Sequence, residues 1–339
     1  MSTPIVRAFG VRAAMHYYLA GGANWHRRMR SRRTDPRIAH RAESEIRKDV
    51  RRSRCRMPTI TPIKTAHLFR DLHVHLVTLL RGLAADDWNR PTVCSRWTVK
   101  DIASHLLDGC VRRLSAQRDR YVPPGDSPRF ASYEELLAYL DRLNADWTAA
   151  TRRVSPRVIV ELLEVTGIAL AEMFETADPF APALFPVAWA GETHSLMWFD
   201  IAREYTERWH HQRQIVDAVG AATAIDEPRL YHPVLDTFLR ALPHAFCDVV
   251  AEEGTVVVVG ITGPAGGDWR LRREDGAWQL LQAAGGPVAA RVVMPQDVAW
   301  RVFTKRRNRA AVLRAFPSIR LEGDENLGGR VLEVVSIMA

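Results

Sequence analysis

The chain has 339 residues, 47% of them hydrophobic and 25% charged, the balance of a globular protein with room for roughly two domains. No apolar run approaches the roughly 18 residues that a spanning helix needs, so no membrane partner is expected. The net charge of +8 divides unevenly: residues 1–56 carry 14 Arg and one Lys against two Asp and two Glu, a net of +11, which leaves −3 for residues 57–339. A slightly acidic folded part argues against nucleic-acid binding, whose basic footprint belongs on a folded face.

Four cysteines, Cys55, Cys94, Cys110 and Cys247, form no CxxC pair and no disulfide-framework spacing. A reducing, cytoplasmic setting is therefore expected. Residues 1–56 combine an Arg-dominated run with a Gly-Gly break and lack sustained apolar periodicity. They read as a solvated, mostly disordered extension, with Met57 as a second candidate start; a targeting or surface-binding segment and a nucleic-acid contact are the other readings.

From residue 63 the pattern becomes helical. TAHLFRDLHVHLVTLLRGL puts Leu68, Leu72, Leu76, Leu79, Leu80 and Leu83 on one stripe, a core-facing helix. His67, Asp71 and His75 follow at four-residue steps on a neighbouring face and read as a polar boundary. After a loop with Trp88, Pro91 and Cys94, Thr98 and Asp101 form a capping-box start to RWTVKDIASHLLDGCVRRL. His105 lies one turn beyond Asp101 among Trp97, Ile102 and Leu106; taken alone, such a histidine is more often a satisfied core residue than a ligand. Ser132 with Glu135, and Ser155 with Pro156, open two further helices. DPFAPALFPVAWAGE follows them, a Pro- and Gly-punctuated loop long enough to wall a pocket.

The next helix, THSLMWFDIAREYTERWHHQRQIVDAVG, places Asp200, Glu204, Glu207, His211 and Gln214 on one polar stripe, with Trp198, Ile201, Tyr205, Trp209 and Val216 on another side. Apolar residues around much of its circumference put part of that stripe inside, where an unpaired carboxylate is costly. Glu207 and His211, one turn apart, can converge on one ion, and a third ligand must come from a facing helix, for which His105 is the best donor. Two imidazoles and a carboxylate suit zinc and leave a position open. An E-x-x-x-H pair alone is equally a solvated helix face. His210 points about 100° away and is read as a non-ligand.

Trp97, Val99, Asp101, His105 and Leu106, followed by Glu207, His211, Ala218 and Gly220, match in order and spacing a Trp, V-x-D, His-Leu, E-x-x-x-H, Ala-x-Gly pattern. On these residues the chain resembles the mycothiol-dependent maleylpyruvate isomerase family, a branch of the DinB-like four-helix bundles. The resemblance covers roughly residues 63–222. It implies metal ligands at His105, Glu207 and His211, and mycothiol as the thiol cosubstrate where the host makes it. One departure stands out: three places after the second ligand histidine the family often has an acidic residue, and here that place is Gln214.

Beyond a helical stretch from Glu227 to about Val250, GTVVVVGITG reads as a strand, and DWRLRREDGAWQLL as a hairpin turning at Asp275-Gly276. A strand near AARVVM leads into a short helix after Pro295. The expected fold class is multidomain, α and α+β. After the extension, a DinB-like four-helix bundle at 63–222 precedes a small α+β domain at 226–339, which resembles the sterol-carrier-like unit accompanying the isomerase bundle. Arg270, Arg291 and Arg301 are ordinary surface arginines or carboxylate contacts.

Two function classes follow. In the first, a divalent metal, zinc by its ligands, activates a low-molecular-weight thiol such as mycothiol. The thiolate adds to a small-molecule electrophile for cis-trans isomerisation or S-transfer. In the second, the chain is a non-enzymatic, metal-containing protein that binds a small ligand. The oligomeric state is not encoded in any motif.

Overall fold

The computed structural model describes residues 61–337, apart from 122, 124–129, 131, 282–284 and 306. The basic extension at 1–56 lies outside the described residues. Four helices form the bundle: α1 (Phe69–Arg81), α2 (Val99–Arg113), α4 (Pro156–Glu175) and α5 (Met197–Val219), with α3 (Tyr133–Thr151) packed on α2. Their ends follow local chemistry. The Thr98 hydroxyl accepts from the Asp101 N–H while the Asp101 carboxylate accepts from the Thr98 N–H, a complete capping box that fixes the start of α2. Ser132 and Ser155 cap α3 and α4, Pro156 occupies the first turn of α4, and Gly220 ends α5 at φ 68°. Among the described residues no helix is long and apolar enough to cross a membrane.

Leu68, Leu72, Leu76 and Leu80 are buried as the stripe predicts, whereas Leu79 and Leu83 are only half-buried. Asp71 stays at the surface and pairs with Arg229 at 2.6 Å. His73, on the face between these sets, is buried with its ring against Gly167 of α4; a Cβ there would lie 2.1 Å from His73 Cε1. The two helices approach closely because Gly167 has no side chain.

The chain continues through α6 (Pro228–Leu239) and α7 (Leu242–Ala245) into a five-stranded sheet of order β3-β2-β1-β4-β5. β1 (Val256–Thr262) pairs antiparallel with β2 (Gly267–Glu274) and parallel with β4 (Val288–Pro295); β3 (Ala277–Leu281) and β5 (Arg320–Gly323) form the edges. Asp275 and Gly276 turn the β2–β3 hairpin with φ of 53° and 74°, both positive as a type I′ turn requires. α8 (Gln296–Phe303), α9 (Arg309–Ala315) and α10 (Glu325–Val331) complete the α+β unit.

One apolar core runs from the bundle into the sheet. Trp209 of α5 stacks on Tyr231 of α6 with centroids 4.1 Å apart, and meets Trp300 of α8 edge-on at 6.3 Å. That contact, with the bond from the Tyr231 hydroxyl to the Gln296 carbonyl, fixes α8 beside α5. The loop at 178–192 packs onto the start of α5. It closes through a Pro182–Leu196 bridge and sets Trp189 against Phe199.

Candidate metal centre

The polar stripe of α5 is buried along most of its length: Asp200, Glu204, His211 and Gln214 are buried, and Glu207 is half-buried. Its first part is neutralised by protein. Arg113 of α2 donates to both Asp200 oxygens at 2.7 Å and to Glu204 at 3.3 Å, and Arg203 adds a further bond to Asp200. Burial raises the pKa of the Asp200 carboxyl, but the two guanidiniums outweigh it and hold the group below its ordinary range.

Its second part meets α2. His105 Nε2 and His211 Nε2 each lie 3.1 Å from Glu207 Oε1, and the ligand atoms of all three residues fall within 4.8 Å of one another. The rings of His105 and His211 stand edge to face at 4.7 Å, roofed by Trp97 at 4.8 Å from His105 and 5.9 Å from His211. A tight turn holds that indole: the Trp97 N–H donates to the Cys94 carbonyl at 2.8 Å, and the Thr92 hydroxyl donates to the Trp97 carbonyl at 2.8 Å.

The donor chemistry fits a cation. Gln214 Oε1 accepts from His211 Nδ1–H at 2.8 Å and from the Cys94 thiol at 3.5 Å. His211 Nε2 is thereby left with a lone pair facing a carboxylate oxygen, two acceptors 3.1 Å apart. His105 Nδ1 is buried without a hydrogen-bond partner among the described residues. Tetrahedral ligands about 2.0–2.1 Å from a common ion stand roughly 3.3 Å apart, close to the 3.1 Å of both histidine–Glu207 pairs. Burial raises the Glu207 pKa, yet His211, His105 and His210 together bring it well below the ordinary carboxylate range. Burial lowers His105, against its bond to Glu207. Both shifts favour the forms that ligate metal, carboxylate and neutral imidazole.

His210 stands outside this trio. Its Nδ1–H donates to the Thr206 carbonyl at 3.2 Å, its ring lies 4.0 Å from that of His211, and burial above all pushes its pKa down to about 3.

The trio opens onto a cavity of about 910 Å³ between the bundle and the α+β unit. Its rim is basic. Arg96, Arg152, Arg301, Lys305 and Arg307 all line the cavity, against Asp101, Asp141 and the trio's Glu207. Arg301 is neutralised by Asp217 and covers Trp300, while Arg307 lies over Phe316. Of the arginines weighed from sequence, Arg301 alone reaches the cavity; Arg291 pairs with Asp268 on the sheet. Sequence reasoning did not single out Cys94, Arg152, Lys305 or Arg307; the T-K-R-R run was the one visible signal for two of these.

The model of the mycothiol maleylpyruvate isomerase N-terminal domain matches residues 69–216. Those residues belong to that domain family. The match spans α1 through most of α5 and includes His105, Glu207 and His211. Two solved structures are similar. One is described as the crystal structure of the mycothiol-dependent maleylpyruvate isomerase, at 14% identity, 71% of this chain, 88% of that chain and a TM-score of 0.45. The other is a histidine-to-alanine mutant of that isomerase, at 14% identity and the same coverages, with a TM-score of 0.41. No curated protein matches the chain.

Proposed function

We propose that the chain is a metal- and thiol-dependent enzyme of the maleylpyruvate isomerase type. His105, Glu207 and His211 would hold a divalent cation, zinc by their donor chemistry. The cosubstrate would be a low-molecular-weight thiol, mycothiol where the host makes it. The convergence of three donor atoms, two of them facing acceptors, at the floor of a 910 Å³ cavity carries the reading. A bundle domain at 63–222 and an α+β domain at 226–339 would form the two walls.

When bound, the cation supplies Lewis acidity that lowers the pKa of a thiol towards neutrality. The protein's own groups do the rest. Gln214 holds His211 in the Nδ1–H tautomer, Trp97 shields both imidazoles from water, and the basic rim orients an anionic electrophile. The attacking thiolate forms a C–S bond at an electrophilic alkene carbon and the π electrons move to the conjugated carbonyl. Rotation and expulsion of the thiolate complete an isomerisation; protonation of the adduct completes an S-transfer. Cys94 does not compete as nucleophile, because burial and then the Glu207 charge raise its pKa and keep it a thiol. The three described cysteines are free, which suits a reducing cytoplasm.

The test is metal content followed by turnover. Purified full-length chain should carry about one divalent ion, and His211→Ala should carry none by elemental analysis. The loaded protein should deplete a thiol when given maleylpyruvate or another small electrophile, with mycothiol, bacillithiol and glutathione compared. Full occupancy in His211→Ala would sink the metal assignment. A loaded protein inert to every thiol would leave the small-ligand-binding reading instead.

A further inference from the structure

Among the described residues, helix α4 carries an exposed apolar face. Val158, Leu162, Val165 and Ile168 follow at steps of four, three and three, so they share one side of the helix. All four are exposed, Val165 most of all at 71%. Val74 of α1, also exposed, lies on the helical face of Arg70 and Arg81, which reach Glu175 and Glu164 of α4. These five are nearly half of the eleven exposed large hydrophobics among the described residues. Such clustering marks a contact surface, whereas single exposed apolar residues do not.

The charges that flank this face identify the partner. Arg157 sits in the first turn of α4 and Glu172 in the last, with no acid in the first turn and no base in the last. That polarity opposes the helix dipole, which favours anions at the N-terminus and cations at the C-terminus. Among the described residues, Arg157 pairs with the exposed Glu161 at 2.8 Å, and Glu172 lies 3.9 Å from Arg70. Arg157 and Glu172 stand eight residues before and seven after Val165. A second α4 laid antiparallel across Val165 therefore brings Arg157 of each copy beside Glu172 of the other. It also opposes the two dipoles and sets Leu162 against Ile168. The face is complementary to itself, as a two-fold interface must be.

We infer that the chain forms a two-fold homodimer through α4, with Val165 on the axis and Arg157 paired to Glu172 across it. Sedimentation equilibrium on the full-length, metal-loaded protein tests this. The wild type should be a dimer, and Val165→Asp a monomer with unchanged metal content. Arg157→Glu and Glu172→Arg should each weaken the dimer by at least about tenfold, and the double variant should recover it. Each single change improves the match to the helix dipole, so Tm extrapolated to the monomer should hold or rise, separating lost association from lost folding. A wild type that stays monomeric to about 100 µM overturns the inference, whether another part of the chain or nothing covers the face. A dimer that survives Val165→Asp, or a swap that fails to restore it, overturns it as well.

Discussion

Gln214 Oε1 accepts the Nδ1 proton of His211 at 2.8 Å, so an uncharged amide, and not an acid, holds that ring nitrogen. The carbonyl fixes the tautomer without adding negative charge to an imidazole that already faces Glu207. Gln214→Leu should weaken metal binding by about 10–100-fold and leave the fold intact. Gln214→Glu should keep the metal and make His211 a more basic ligand. Chelator competition on both variants checks this; equal affinity in wild type and Gln214→Leu would remove the orienting role.

The Arg113–Asp200 pair, bidentate at 2.7 Å and fully enclosed, ties α2 to α5 along the helices that carry the trio. Asp200→Ala removes both 2.7 Å bonds and leaves the buried Arg113 guanidinium to Glu204 and Gln117, and should cost about 3 kcal/mol of stability. Because the folded state holds the Asp200 pKa below its ordinary value, the pair's contribution is complete above that value and fades as pH falls through the lowered one. Urea unfolding of wild type and Asp200→Ala should therefore differ most near neutrality and converge in acid. A constant difference down to low pH would contradict the linkage.

Much of the bundle was legible because its signals are local. Thr98, Ser132, Ser155, Pro156 and Gly220 act within a turn of their own position, and the structure puts the helix ends where they predict. The Asp275-Gly276 turn is of the same kind. Burial of the α5 stripe was also readable, since a helix apolar around much of its circumference has little face left for water. What escaped depends on residues far apart in sequence. His73 looks like any boundary histidine until Gly167, 94 positions later, lets its ring in. Arg152 and Lys305 become neighbours of one cavity only when Trp209, Tyr231 and Trp300 fix α8 against α5.

The basic rim predicts charge selectivity. Arg152 and Lys305 line the cavity beside the trio, and clefts of one sign concentrate ligands of the other. Arg152→Glu with Lys305→Glu should weaken binding of a small dianion such as maleate to the metal-loaded protein by at least about tenfold, with metal content unchanged. Calorimetric titration of maleate at two ionic strengths tests this. Wild-type binding should weaken with salt more steeply than the variant's, and identical affinities would exclude these residues from anion recognition.

His73 predicts a second pH dependence, in the fold. Burial, then the nearby Arg208 charge, push its imidazole down to about 4 from the ordinary 6.5. Between those values the unfolded chain binds more protons than the folded one, so stability is complete above 6.5 and declines as pH falls towards 4, by about 3 kcal/mol in all. His73→Leu removes the titrating group, so its urea midpoint should vary less over that range than the wild type's. Gly167→Ala supplies the complementary test. Its added Cβ meets the ring and should cost about 1–3 kcal/mol, and Gly167→Ala with His73→Ala should cost less than the two single changes added together. Strict additivity would mean that the ring and the glycine do not define the α1–α4 approach.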